Sequence, residues 1–326
     1  MSNIRWGILG CGRIAGAFAE AIPFAPGAEL VAVGSRSIEK ANSFADKHDV
    51  ERRHGSYASL AADSSVDAIY VATPHPMHAD DSILCLENGK AVLTEKPFTI
   101  NVDQAERVIT KARAANLFLM EAHWSRFIPL MAEIRRLIAD GAIGELRSVQ
   151  ADFGFRAGFD PAGRLFDLAL GGGALLDVGC YCVSLAVMLF GAPDRISGLA
   201  EIGSTGVDEQ ASMTLAYSDG KLAILSTAIR TNTQQEAVIC GTSGRIHLHN
   251  PWWKPSALTI YRDGKEPENL TMQVTGNGFC YEIIESMACI EQGKVESPTM
   301  SHCETIEIMR IMDSLRNQWG VKYPGE

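Results

Sequence analysis

The opening residues IRWGILGCGRIAGAFAEA confine this chain more tightly than any other stretch of it. Ile4–Leu9 is a short apolar run, and Arg13–Ala21 has helical character that ends before Pro23. Between them lies Gly10-Cys11-Gly12-Arg13-Ile14-Ala15, a G-x-G-x-x-A turn. In such a turn the first glycine makes the tight bend and the second lets a pyrophosphate approach the backbone. The small third residue packs helix against strand. The helix N-terminus then offers free N–H groups and its positive end to an anion. Further apolar runs at residues 30–34, 68–73, 91–94 and 117–121 read as strands, and residues 37–47, 78–88 and 101–115 read as helices. Strands alternating with helices of this length imply parallel pairing through right-handed crossovers. The first third is therefore expected to be an α/β unit, a doubly wound parallel sheet of the Rossmann type that binds a dinucleotide.

The chain of 326 residues exceeds the usual size of one hydrophobic core. Its texture changes after residue 123. A helix over residues 129–140 precedes the strand GELRSVQADFGF. The dipeptides Asp219-Gly220, Ser243-Gly244 and Asp263-Gly264 each separate β-rich runs, as hairpin turns do. Helices are expected over residues 175–189, 279–292 and 304–319. Residues 1–122 should form the dinucleotide-binding domain. Residues 123–326 should form an α+β domain with a large, mainly antiparallel, open-faced sheet. A sheet face without helices exposes apolar side chains, so pairing of two copies through it is expected.

The formal net charge of -10 argues against nucleic acid or an anionic membrane as partner. Arg52-Arg53 and Arg135-Arg136 are too small for such a footprint. The N-terminus enters a strand at once, without signal-peptide features. No run reaches the ~18 apolar residues of a membrane span. The nearest approach is residues 171–191. A cytoplasmic protein is expected. Eight scattered cysteines suit a reducing compartment. Cys180-x-Cys182 has no complementary Cys pair or His doublet, so the thiols read as buried and free, and no metal site is expected.

NAD and NADP are distinguished at the end of the second strand, where a carboxylate repels a 2′-phosphate. Here the strand runs into Ser35-Arg36-Ser37, with Lys40 just beyond, and no acid occupies the tip. Two hydroxyls and a guanidinium suit a 2′-phosphate, so NADP(H) is expected over NAD(H). Two further strand ends, Thr73-Pro74-His75-Pro76-Met77-His78 and Leu93-Thr94-Glu95-Lys96-Pro97, lie on the carboxyl edge of the sheet. That edge is where ligands bind in open α/β sheets. In GGGALLDVGCYC, Asp177 and Tyr181 interrupt an apolar stretch four residues apart, on one helix face. A buried aspartate there needs a partner.

In combination, the G-x-G-x-x-A turn, the Thr-Pro-x-x-x-His segment, Glu-Lys-Pro and the GGG-x-x-x-Asp-x-x-x-Tyr helix resemble the Gfo/Idh/MocA oxidoreductases. Within that family, MEAHWSRF and GGGALLDVGCYC are similar to the dimeric dihydrodiol dehydrogenase and NADP-dependent D-xylose dehydrogenase branch. The resemblance implies Lys96 and Tyr181 as the catalytic pair, with Asp177 beside them. It leaves open which of the pair is the proximal base. It also implies cofactor contacts from Gly10, Gly12, Arg13, Ile14, Ser35, Arg36, Ser37, Lys40, Thr73, Pro74, His75, His78, Glu95, Lys96, Pro97, Trp124 and Arg126. A substrate wall is expected from Trp124, Phe153, Phe155, Trp252, Trp253 and Phe279, with Asp177 and Tyr181. Aromatic walls suit the flat face of a sugar ring or a cyclohexadiene diol. The Trp252-Trp253 doublet, set among Pro251, Lys254 and Pro255, reads as ligand contact rather than core. The implied partners are a small-molecule substrate (a cyclic polyol, aldose or trans-dihydrodiol) and a second copy of the chain. The implied reaction moves a hydride between nicotinamide and a hydroxyl-bearing carbon. A silent NADPH-binding sensor, or an enzyme of glucose–fructose oxidoreductase or inositol dehydrogenase type, is the alternative.

Overall fold

The computed structural model describes residues 3–326. The chain divides into two compact units, residues 1–127 with 275–305 and residues 128–274 with 306–326.

In the first unit the strands are β1 (Ile4–Leu9), β2 (Ala28–Gly34), β3 (Arg52–His54), β4 (Ala68–Val71), β5 (Ala91–Glu95) and β6 (Leu119–Ala122). They form a parallel sheet in the order β3-β2-β1-β4-β5-β6. The order reverses between β1 and β4, the switch point at which such sheets bind ligands outside their carboxyl ends. Crossovers run through α1 (Arg13–Ala21), α2 (Ile38–His48), α3 (Tyr57–Ala61), α4 (His78–Glu87) and α5 (Val102–Ala115). Local chemistry sets the helix starts: Ser37 caps α2 by accepting from the Lys40 N–H, and Asn101 caps α5 by accepting from the Gln104 N–H. The strands β4 and β5 are buried along their whole length, as expected for strands covered on both faces.

The second unit begins with α6 (Pro129–Ala139) and β7 (Leu146–Gly154). A turn of π-helix at Leu175–Gly179 leads directly into α7 (Cys180–Phe190). The expected single helix is therefore two kinds of helix in series. Then follow β8 (Arg195–Ile202), β9 (Asp208–Ala216), β10 (Leu222–Ala228), β11 (Ala237–Gly241), β12 (Gly244–Leu248), β13 (Ala257–Arg262) and β14 (Glu268–Thr271). The sheet order is β14-β13-β12-β11-β7-β10-β9-β8, and only the β7–β10 pair is parallel. The three Xaa-Gly dipeptides lie at the β9–β10, β11–β12 and β13–β14 connections.

Residues alternate cleanly in this sheet. Val149, Ala223, Leu225, Ile239, Ile246 and Leu248 are buried on one face. The other face carries Leu199, 80% exposed, with Leu222 and Ile224 at 41% and 47%. The apolar stretch from Leu168 to Phe190 is long and apolar enough to cross a membrane by length and composition alone, contrary to the count made from the sequence. Most of it is buried within the protein, which is the behaviour of a core helix.

After β14 the chain returns to the first unit with α8 (Cys280–Glu291), and α9 (His302–Trp319) carries it from Ile306 back to the second. A single division at residue 122 does not describe this path. The return is fixed by long-range bonds: the Leu119 N–H donates to the Val295 carbonyl at 3.0 Å, and Asn277 Nδ2 donates to the Ala17 carbonyl at 2.6 Å.

Candidate active site

The glycine turn has the geometry its sequence demands. Gly10 has φ +107°, and a Cβ there would meet the Ala72 carbonyl oxygen at 2.7 Å. Only glycine tolerates both. Gly12 sits at the N-cap of α1 in an extended conformation, and a Cβ there would meet nothing within 4 Å. Its lack of a side chain is thus unexplained by protein packing. Open space before a helix N-terminus fits a pyrophosphate, so the residues present suit a dinucleotide. Arg13 and Ile14 open the helix, and Arg13 is exposed.

At the end of β2, Ser35 is buried while Arg36 and Lys40 are exposed. The Ser37 hydroxyl donates to Glu39 Oε2 at 2.6 Å while it caps α2. Glu39 is an acid near the tip that the strand-end reading had not weighed. The phenol of Tyr57 is drawn down by Arg36, although burial raises it overall. Burial also pushes Asp81 up to about 6, against the pull of the Thr73 hydroxyl and the Arg36 charge.

The Lys96–Pro97 peptide is cis. Hydrogen bonds from three sides define the segment around it. Glu95 Oε2 accepts the Lys96 N–H at 3.0 Å, and the Tyr70 hydroxyl donates to Glu95 Oε1. Glu121 Oε1 accepts the Phe98 N–H at 3.2 Å. His78 is wholly buried, with Nδ1 2.9 Å from the Pro97 oxygen and Nε2 2.8 Å from the Thr73 oxygen. Burial holds its pKa below the usual histidine value despite the two carbonyls. The neutral ring donates to one of these two carbonyls and lies against the other, so His78 sits wedged between two strand ends with both ring nitrogens facing backbone oxygens. Beside it, His75 is buried and packs edge-on to His78 at 5.7 Å.

Three buried carboxyls gather behind this segment. Burial pushes Glu121 up to about 7, against the Thr305 hydroxyl and the Arg126 charge. Burial and the nearby Glu95 raise Glu282 well above the usual carboxyl range, and neither of its oxygens has a hydrogen-bond partner among the described residues. A carboxyl in that position is held neutral. Arg126 is 2% exposed, and its guanidinium is bound to Glu304 Oε1 at 2.8 Å and to the Thr299 carbonyl at 3.3 Å. It anchors the returning segment. Trp124 stacks on Phe279 with centroids 5.0 Å apart at 15°, both nearly buried.

In the second unit, the acid and phenol of the GGG helix are both buried. The partner that Asp177 requires is Arg164, whose Nη1 donates to Asp177 Oδ1 at 2.7 Å. Arg164 is half-exposed, so the pair ends at the surface of its unit. The π-turn containing Asp177 is anchored by Asp208, which accepts the Leu175 N–H on Oδ2 at 2.6 Å. Burial pushes Asp208 up to about 7. Gly173, at φ +121°, leaves room for the Asp208 carboxylate, which a Cβ would strike. π-turns recur at functional sites because they re-aim the side chains of a helix.

The aromatic residues divide. Phe153 lies 5.4 Å from the Tyr181 ring and stacks on Trp253 at 3.5 Å and 10°. Phe155 is partly exposed on the same segment. Trp252 is 1% exposed, and its Nε1 donates to the Asp152 carbonyl at 2.7 Å. It is core, contrary to the reading of the doublet as ligand contact; only Trp253 of the two remains for a wall. The residues missed from sequence are Asp208, Glu121 and Glu282, buried acids with no signal of their own. Arg164, in the loop before GGG, reads from sequence either as a polar substrate contact or as a salt-bridged surface group, and it forms a salt bridge with Asp177.

A Rossmann unit with an anion-ready glycine turn, joined to an open-faced α+β unit, defines a dinucleotide-dependent enzyme. Family models agree. The oxidoreductase family with NAD-binding Rossmann fold matches residues 4–123, and the Gfo/Idh/MocA C-terminal domain matches residues 131–247. The chain is 39% identical to trans-1,2-dihydrobenzene-1,2-diol dehydrogenase of Xenopus tropicalis, covering 98% of this chain and 99% of that protein. It is 36% identical to the Homo sapiens enzyme of the same name, over 98% of each. Among solved structures, a 3-ketoreductase from Actinomadura kijaniata in complex with NADP and TDP-benzene is 26% identical, with TM-score 0.86 and 97% and 98% of the two chains covered. An aldose-aldose oxidoreductase from Caulobacter crescentus shares the fold, with TM-score 0.88 at 23% identity over 98% of each chain. The protein belongs to the Gfo/Idh/MocA family of oxidoreductases.

Proposed function

We propose that the protein is an NADP(H)-dependent dehydrogenase that oxidises a hydroxyl-bearing carbon of a small cyclic substrate. A trans-dihydrodiol is the first substrate to test, and cyclic polyols and aldoses such as D-xylose are the second. The end-to-end likeness to trans-dihydrodiol dehydrogenases, at 39% identity, carries this reading. The Actinomadura ketoreductase, crystallised with NADP, supports the cofactor. That protein was also solved as lysine-to-alanine and tyrosine-to-phenylalanine mutants, which supports a lysine and a tyrosine as residues of interest.

Bound NADP+ supplies the hydride acceptor. The protein's part is to hold the cofactor and to move the proton. Gly10, Gly12 and the start of α1 receive the pyrophosphate, and Ser35, Arg36, Ser37 and Lys40 receive the 2′-phosphate. Glu39 then gives up the Ser37 hydroxyl. Thr73, Pro74, His75, Glu95, Pro97 and Trp124 line the approach at the strand ends. Lys96 and Tyr181 share the proton released from the substrate hydroxyl. A phenol serves near neutral pH only if its pKa falls from ~10 to ~7, about 4 kcal/mol of differential stabilisation, and an ammonium acts in that direction. Asp177, held by Arg164, orients the substrate hydroxyls, with Phe153, Phe155, Trp253 and Phe279 as apolar walls. The exposed Leu199, Leu222 and Ile224 support pairing of two copies through the open sheet face.

The test is an NADP(H) absorbance screen of trans-dihydrodiols, inositols and aldoses in both directions. Turnover with a trans-dihydrodiol or a cyclic sugar is the expected result. NADPH binding with no turnover across the panel would refute the proposed substrate class.

A further inference from the structure

The open face of the second sheet carries a cluster that plays no part in the reaction proposed above. Along β12, Ile246 and Leu248 are fully buried, so Arg245 and His247 point to the opposite, open face. His249 follows with the same parity. On β11, Val238 pairs with His247 and Ala237 with Leu248. One step further along that register, Glu236 comes level with His249. One ligand atom from each of Glu236, His247 and His249 lies within 4.8 Å of the other two. His247 Nε2 is 3.0 Å from Glu236 Oε2, and the two imidazole centroids are 4.6 Å apart.

An ion pair between His247 and Glu236 explains one of these contacts. It does not explain the second imidazole or the chain of groups behind it. His249 Nε2 lies 2.9 Å from Thr259 Oγ1, and Thr259 donates its own proton to Asn269 Oδ1 at 2.7 Å. With Thr259 donating to Asn269, the contact is a hydrogen bond in the tautomer of His249 that carries its proton on Nε2. That tautomer keeps its lone pair on Nδ1, the nitrogen it would offer a cation. An outer hydrogen bond that fixes the tautomer of an imidazole is the usual support of a metal-ligating histidine. The chain through Thr259 to Asn269 runs across β13 and β14, so three hairpin-linked strands would determine one ligand's orientation.

We propose that Glu236, His247 and His249 form a site for a zinc-class divalent cation on the open sheet face. Two imidazoles and one carboxylate suit Zn2+ and its first-row neighbours, whereas Mg2+ and Ca2+ take all-oxygen sites. Three protein ligands leave a fourth tetrahedral position to water. The site spans β11 and β12, so an ion there pins that hairpin. None of its three residues is among those placed in the cofactor or substrate sites.

The experiment titrates untagged, chelator-stripped protein with Zn2+ against a chromophoric competitor, and with Co2+ for its spectrum. The wild type should bind one equivalent more than the His247→Gln/His249→Gln variant. Its Co2+ spectrum should show tetrahedral d–d bands without thiolate charge transfer. Glu236→Gln should weaken this site without altering the metal-free melting curve. Thr259→Val, which touches no metal, should weaken it about 10–100-fold, the cost of losing an outer-shell partner. NADP(H) binding and turnover should be unchanged in all of them. Equal zinc uptake by wild type and the double-histidine variant would overturn the proposal. So would a Co2+ spectrum dominated by thiolate bands, because the eight free cysteines are the competing ligands.

Discussion

Glu121→Gln removes one titrating group and keeps an acceptor for the Phe98 N–H. Glu121 is pushed from the ordinary 4.5 up to about 7, mainly by burial. A pKa raised in the folded state means that folding favours the protonated carboxyl. The contribution is fully present below pH 4.5 and is lost as pH rises through 7. The shift is 7 − 4.5 = 2.5 units. At 1.36 kcal/mol per unit that is about 3 kcal/mol overall, of which roughly 2.5 kcal/mol falls between pH 5 and pH 8. The wild type should therefore lose stability over that interval, and the glutamine variant should lose about 2.5 kcal/mol less. Urea unfolding at pH 5, 6, 7 and 8, followed by tryptophan fluorescence, measures both slopes. Parallel slopes for the two proteins would show that Glu121 is not held neutral, and the account of the acids behind Lys96 would fail.

Other expectations concern the cofactor and the aromatic residues. Gly12→Ala should leave stability within about 0.5 kcal/mol, because its Cβ meets no protein atom, yet weaken NADPH binding. Gly10→Ala should instead cost about 1–3 kcal/mol, by calorimetry, from its positive φ and the Ala72 carbonyl. Arg36→Ala should weaken NADPH by about 1.5–3 kcal/mol in a fluorescence titration, the worth of hydrogen bonds to a charged group, and leave NADH nearly unchanged; equal losses would remove the 2′-phosphate argument. Trp252→Phe should lower stability by about 1–3 kcal/mol through the lost bond to the Asp152 carbonyl, while Trp253→Ala should act on KM.

Much of the first unit was legible because its signals are local. Apolar runs, capping residues and glycines report directly on strands, helix starts and turns, and β1 and α1 fall where the sequence put them. Strand β3 escaped because Arg52–His54 is a polar, three-residue edge strand with no apolar pattern. The return of residues 275–305 escaped for another reason. It is decided by contacts such as Asn277 with Ala17, far apart along the chain, to which local composition is blind.

The same distinction runs through the site. The glycine turn, and the place of Lys96-Pro97 just after a strand, were readable from residue type and position. Trp252 was misread because prolines and a lysine flank it, yet one hydrogen bond from its indole and complete burial of the ring make it core. The buried acids Glu121, Glu282 and Asp208 look like ordinary surface carboxyls in sequence, since burial is set by distant elements. Asp177 was different: its position in an apolar helix demanded a partner, and the structure supplies Arg164. The expectation of no metal site passed over His247-x-His249, because Glu236 comes beside the doublet only through the pairing of β11 with β12.

The most direct measurement compares Tyr181→Phe with wild type in two assays, NADP+-linked oxidation of a trans-dihydrodiol and NADPH binding by fluorescence. If Tyr181 carries the proton, kcat should fall about 10²–10⁴-fold, the size of a general acid–base contribution, with NADPH affinity unchanged. A variant that turns over like the wild type would contradict that role.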